Sequence, residues 1–325
     1  MAFQVYPLGF HPIFKERIWG GSKLNSRLNK VVSGDFIGES WEISGVPDSE
    51  SVVSKGVYSG RTLTELCNTY PNELLGKRVV QRFGAEFPLL IKFIDAREDL
   101  SIQLHPDDAM AKARHGSFGK TEMWYILDAD PGAKLIVGFD RNVTAQEYEA
   151  ALSQGKLTEL LHYQQVASGD TVFIPAGKIH AIGAGVLLAE IQQSSDVTYR
   201  VYDFNRRDAS GHLRELHTDL ALDAMDFACR DDFNVKYNRN NPGNPELMVE
   251  SQYFTTRYLR LDQMYTTDLS SRDAFTILIC VSGNASVQIG DQPTELFQGQ
   301  TVLIPAMAQW IQINTSGCEL LEVTI

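Results

Sequence analysis

The sequence predicts a mainly β protein carrying a few short helices. Three observations point there: apolar or alternating runs of four to eight residues bounded by Gly, Pro, Asn and Asp recur along the chain, helical periodicity is confined to three stretches, and one β module occurs twice. Taken in order, the first helical stretch is Thr62 to Leu75. Strands follow at Leu89 to Ile94, Met123 to Leu127 and Lys134 to Phe139. A second helical stretch, Thr144 to Leu161, lines up Tyr148, Ala151, Leu152, Leu157 and Leu160 as one stripe. Strands resume at Thr171 to Pro175, Val186 to Ile191 and Thr198 to Phe204, and a third helix is expected over Asp219 to Cys229. The Asn- and Pro-rich Lys236 to Glu246 reads as a linker, because those residues favour turns over packed elements. Beyond it, Thr276 to Val281, Ala285 to Ile289 and Thr301 to Ile304 complete the strands.

The chain has 325 residues, 43% of them hydrophobic, enough for about two domains with a sizeable core. A formal net charge of −12 gives a field that repels nucleic acid and anionic lipid, so an anionic ligand needs a local basic pocket. No apolar run approaches membrane-spanning length and the first residues carry no basic segment ahead of an apolar one, so a cytoplasmic protein without membrane or nucleic-acid partners is expected. Cys67, Cys229, Cys280 and Cys318 are scattered without a C-x-x-C pair, which suits reduced thiols rather than a disulfide framework.

The repeat divides the chain. Gly169-Asp-Thr-Val-Phe-Ile-Pro175-Ala-Gly177-Lys-Ile-His180 aligns without a gap on Gly299-Gln-Thr-Val-Leu-Ile-Pro305-Ala-Met307-Ala-Gln-Trp310. In each copy a glycine allows a tight turn, four residues form a strand, and proline fixes the next corner. The copies part at His180 and Trp310, and indole cannot replace an imidazole as a metal donor. A metal-binding domain over 1–235, with helical segments near 62–76 and 144–162, is therefore expected before a domain over 245–325 that lacks ligands and serves packing or dimerisation.

Three segments offer oxygen and nitrogen donors: Ser101-Ile-Gln103-Leu-His105-Pro106, Gly119-Lys120-Thr-Glu122-Met-Trp124, and Gly177-Lys-Ile-His180. Side chains alternate along a strand, so Gln103 shares a face with His105, while Lys120, Glu122 and Trp124 share another. Pro106 biases His105 toward extended geometry. Two imidazoles, one carboxylate and one amide oxygen suit zinc or another first-row divalent ion with room for water or substrate. With a single carboxylate the centre keeps a net positive charge and remains a Lewis acid.

These blocks resemble a known family. Pro88 through Lys92, Ser101 and Gln103 to Asp107, then Gly119-Lys120-Thr-Glu122-Met-Trp124, then Ile174 to His180 through Glu190 to Tyr199-Arg200-Val-Tyr-Asp-Phe-Asn-Arg206, resemble type I mannose-6-phosphate isomerase. Phe14-Lys-Glu-Arg-Ile-Trp19-Gly-Gly and Gly38-Glu-Ser-Trp41-Glu-Ile-Ser44 are similar to its short bacterial form. The resemblance implies tandem cupin (double-stranded β-helix, jelly-roll) barrels with a small helical insertion. It also implies one Zn2+ per chain and interconversion of mannose 6-phosphate and fructose 6-phosphate. Metal ligands fall on Gln103, His105, Glu122 and His180, the catalytic arginine on Arg200, and substrate-binding or proton-handling residues on Lys92, Ser101, Lys120 and Glu190.

Such an isomerisation moves a proton between C1 and C2 through a cis-enediol or enediolate. It needs an electrophile at the two oxygens and a base near the carbons. Glu190, Lys120 and a hydroxide at the ion all remain candidates for the base. Arg200 is expected to stabilise the enediolate and touch phosphate, and Lys92 and Ser101 to anchor phosphate, with Lys178 near the same mouth. His115 is expected on a loop that could line the pocket, Trp19 and Trp41 as core or lid aromatics, and Trp124, on the Glu122 face, as the tryptophan best placed to line the pocket. A monomer or homodimer is expected. An Fe(II) cupin oxygenase and a non-catalytic sugar-binding cupin are the alternatives.

Overall fold

The computed structural model describes residues 2–34, 36–207, 211–229 and 233–325. Two antiparallel sheets stack in the front part. The six-stranded sheet runs, in spatial order, Thr171–Ile174, Glu122–Ala129, Val186–Gln193, Leu89–Ala96, Ile13–Gly21 and Ile37–Ser44. The five-stranded sheet runs Tyr199–Tyr202, Ile102–Leu104, His180–Ile182, Lys134–Phe139 and Leu161–Gln165. Ile94, Trp124 and Leu188 of the first sheet meet Leu135, Val137 and Ile182 of the second in one core. This is the jelly-roll arrangement of a cupin.

Leu89–Ala96 and Val186–Gln193 are buried along their whole length because both faces of their sheet are covered. Lys92, Ile94, Glu190 and Leu188 point between the two front sheets. Ile91, Phe93, Ala189 and Ile191 point the other way, into a core shared with Ile277, Ile279, Leu321 and Val323 of the tail and with Leu63, Leu66 and Leu74 of the helical segment. The tail is a seven-stranded sheet drawn from residues 246–324. Its own interior is lined by Leu278, Val287, Leu296, Ile304, Ile311 and Leu320, with one buried carboxylate, Glu322, opposite Leu278 and paired with Arg272 at 3.0 Å.

The two copies of the repeat fold alike: strands Thr171–Ile174 and Thr301–Ile304 each follow a glycine with positive φ (91° at Gly169, 81° at Gly299) and precede a turn. New strands then begin at His180 and Trp310. The tail strands expected at Thr276 to Val281 and Ala285 to Ile289 are one strand, Thr276–Ile289. Gly283, at φ 73°, carries the chain through the irregularity, and a Cβ there would lie 2.2 Å from the Gly317 carbonyl oxygen.

The first two expected helices start where read, at capping boxes on Thr62 with Glu65 and Thr144 with Glu147, each worth about 1 kcal/mol. Both end sooner. Pro71 splits the first into Leu63–Thr69 and Pro71–Leu75, since the residue before a proline is driven out of helical geometry. Gly155, at φ 69°, stops the second at Ala145–Ser153, before a 3-10 turn over Leu157–Leu160. The third is only Thr218–Ala224. Helices Lys77–Phe83 and Asp108–His115 lie where none was expected.

Candidate metal centre and active-site cleft

Cross-strand register builds the site as two facing rows. On the six-stranded sheet Trp41, Lys92, Glu190 and Trp124 stand side by side. On the five-stranded sheet Arg200, Gln103 and His180 do the same. Glu122 lies one step along, opposite Gln192, and His105 directly follows Ile102–Leu104.

The His105, Glu122 and His180 side chains converge, with one donor atom of each within 4.8 Å of the others. His180 Nε2 is 3.3 Å from Glu122 Oε1, and His105 Nε2 is 3.7 Å from Glu122 Oε2. Each imidazole is oriented from behind: Nδ1–H of His105 donates to the Val197 carbonyl at 2.9 Å and that of His180 to the Lys178 carbonyl at 2.8 Å. A carbonyl can only accept, so both protons sit on Nδ1 and both Nε2 lone pairs face Glu122. Those two nitrogens and both Glu122 oxygens are buried without a hydrogen-bond partner among the described residues. Four acceptors turned to one point are costly unless a cation lies between them, and Lys120, 3.1 Å from Glu122 Oε2, answers only one of them, so the residues present fit a divalent metal.

The electrostatics agree. Burial, then the Lys120 and His180 charges, hold His105 well below the ordinary histidine value, and burial lowers His180 to about 4, so both stay neutral as ligands must. Burial and neighbouring Glu190 raise Glu122 to about 7 even though Lys120 Nζ lies 3.1 Å away. Lys120 serves two carboxylates, standing also 4.0 Å from Glu190 Oε1. Gln103 lies beside His180 in the register, its Oε1 accepting from Ser101 Oγ at 3.2 Å.

Glu190 is held from three sides. Lys92 Nζ donates to its Oε1 at 2.9 Å and Trp124 Nε1 to its Oε2 at 2.9 Å, while Lys120 stands near. Burial works against the charge, but Lys120 and Lys92 outweigh it and lower Glu190 to about 2. Lys120, whose charge burial disfavours, is nevertheless kept protonated by Glu122 and Glu190.

Lys92, Gln103, Lys120, Trp124, His180 and Glu190 bound a cleft of about 620 Å³ between the front sheets, while His105 and Glu122, next to His180, lie outside its lining. Lys92 is not on an edge strand: it lies buried in the cleft, also donating to Gln192 Oε1 at 2.7 Å. Arg200 donates to the Glu215 carbonyl at 2.9 Å, and its buried Nε is unpartnered.

Some expectations are corrected. Lys178 is fully buried and pairs with Asp226 at 2.8 Å, outside the cleft lining. His115 ends the Asp108–His115 helix, which Asp107 caps by accepting from Met110 N–H at 2.8 Å, and its Nε2 bonds the Tyr199 hydroxyl at 2.8 Å. Trp19, Trp41 and Trp124 all line the cleft. Lys15, Arg17 and Arg214 line it too and were not anticipated. The alternation Lys15, Arg17, Trp19 was the available signal, once Ile13–Gly21 is read as a strand.

Comparison with known proteins follows the same line. Residues 8–165 match the model for the phosphomannose isomerase type I catalytic domain, and 245–325 that for the mannose-6-phosphate isomerase cupin domain. The chain is 35% identical to a mannose-6-phosphate isomerase of Bacillus subtilis over 92% of its length and 93% of that protein's. It is 32% identical to one of Streptococcus mutans, covering 92% of each. A crystal structure of the Bacillus subtilis mannose 6-phosphate isomerase superposes with a TM-score of 0.90 at 32% identity, covering 99% of this chain and 100% of that one. With relatives matched over more than nine-tenths of both chains, the chain belongs to the type I mannose-6-phosphate isomerase family.

Proposed function

We propose that the chain interconverts mannose 6-phosphate and fructose 6-phosphate at a divalent metal, with zinc as the ion, held by His105, Glu122, His180 and Gln103. The observation that carries this is the set of buried acceptors on His105, Glu122 and His180 turned to one point, beside a cation-lined cleft that His180 borders. Two imidazoles with a carboxylate and an amide suit zinc, and one ion per chain follows from Trp310 standing where the front copy has His180. When bound, the ion supplies a Lewis acid for the negative charge that develops on the sugar's O1 and O2.

The chain's own residues do the rest. Lys120, protonated at rest, gives a proton to O1 of the open-chain aldose while Glu190 removes the proton from C2, producing the enediol. Lys120 then recovers a proton from O2 as Glu190 returns its own to C1, and the ketose results with no net change in either residue. The two steps reinforce each other: loss of the Lys120 proton removes one of the charges that lower Glu190, so the carboxylate becomes a stronger base as it is needed. Arg200 offers a permanently charged fork to the enediolate from the facing sheet. Ser101 and Lys92, whose ammonium keeps one proton beyond those given to Glu190 and Gln192, are substrate contacts along the cleft.

The test is incubation of the metal-loaded protein with mannose 6-phosphate, following fructose 6-phosphate, with chelator and His105→Ala as controls. No product from the loaded wild type, or full turnover by metal-free His105→Ala, overturns the proposal.

A further inference from the structure

Six cationic side chains line the cleft against four carboxylates, in a protein whose overall charge is −12. Four of the six are matched: Lys92 and Lys120 by Glu190 and Glu122, Arg17 by Glu39 with two bonds of 2.9 and 3.0 Å, and Arg214 by Asp203. Among the described residues Lys15 and Arg200 make no ion pair. They come from different sheets, Lys15 from Ile13–Gly21 of the six-stranded sheet and Arg200 from the strand that ends the five-stranded one. Lys15 is also posed. Its Nζ lies 4.7 Å from the centre of the Trp41 ring and donates to Ser49 Oγ at 2.7 Å, leaving two ammonium protons free.

We propose that Lys15 is a phosphate-binding and specificity-determining residue, holding the dianionic end of the substrate beside Trp41 while Arg200 serves the enediolate. An unpaired ammonium on the cleft wall suits a phosphate of about two negative charges, whereas a neutral sugar leaves it unmatched. Lys92, neutralised within the cleft by Glu190, is then free for the sugar's hydroxyl end. The inference rests on the phosphosugar reading above, so its test separates the two.

Lys15→Met keeps the stem over Trp41 and removes the charge. The expected result is a KM for mannose 6-phosphate raised about 10- to 100-fold with kcat changed less than about threefold, since a charge-assisted bond to the remote end adds binding without entering the chemical step. Inhibition by inorganic phosphate should weaken in parallel, and Lys15→Arg should restore most of both. Lys15→Gln serves in the same assays if Lys15→Met does not fold. Unchanged KM and unchanged phosphate inhibition in the folded variant overturn the proposal. If the wild type turns over no mannose 6-phosphate, the functional reading fails and calorimetry with inorganic phosphate decides this one: equal binding by wild type and Lys15→Met overturns it, and loss in the variant upholds it.

Discussion

Lys92 and Glu190 stand opposite each other on two neighbouring strands buried on both faces, joined by an ion pair of 2.9 Å in which both side chains are almost fully enclosed. A charge pair so deep is held for what it does to the charges rather than for stability, because hydrophobic replacements of equal volume pack as well. Its consequence is an ionised Glu190 within reach of Lys120.

Removing one partner should be costly. Lys92→Met leaves Glu190 with fewer donors, and we expect a loss of about 3 to 5 kcal/mol in urea unfolding together with a rise in the Glu190 pKa. A loss below about 1 kcal/mol would mean that the pair is hydrated.

The pH dependence has a fixed sign. Glu190 falls from an ordinary 4.5 to about 2 on folding, so the unfolded chain binds more protons in that window. Its contribution is complete above about pH 4.5 and is lost as pH falls toward 2. Unfolding free energies between pH 5 and 3 should therefore fall more steeply for the wild type than for Glu190→Gln, both measured without metal.

Chelation should lower the melting temperature, because an ion bound only by the folded chain stabilises it by mass action. His105→Ala should lower metal affinity by more than about 100-fold, read by elemental analysis after dialysis, and should abolish the melting difference between loaded and chelated samples.

The tail should not be convertible into a second metal site. Met307→Gly with Trp310→His restores the motif of the front copy, but Trp310 is 42% exposed, Thr276 stands opposite Ile304 where the front copy has Glu122 opposite Ile174, and the tail's buried carboxylate, Glu322, is already paired with Arg272. Elemental analysis should still give one ion per chain, and two would refute the account of the tail.

Gly177 has a geometric duty beside the ligands. At φ 83° it donates to the His105 carbonyl at 2.8 Å, and a Cβ would lie 2.7 Å from the Ala224 carbonyl oxygen. Gly177→Ala should cost about 1 to 3 kcal/mol and weaken metal binding by moving His105, whereas Gly155→Ala, with open space at its Cβ, should leave metal binding unchanged.

The sequence by itself determined the β character, the two-copy module, the positions of the helix starts at Thr62 and Thr144, and the donors on His105, Glu122 and His180. Each of these is local: turn residues, capping residues and alternation within one strand act over a few positions. Which strands lie side by side is not local. The rows Trp41–Lys92–Glu190–Trp124 and Arg200–Gln103–His180 join residues up to about 150 positions apart, and only tertiary register sets them. That register decided that Lys92 lies buried in the cleft bound to Glu190, that Lys178 turns away to Asp226, and that Lys15 lines the cleft. A lysine's stem is apolar and its head charged, so its sequence neighbours suit a rim or a buried pair equally well, and the carboxylate that meets it across the sheet makes the choice.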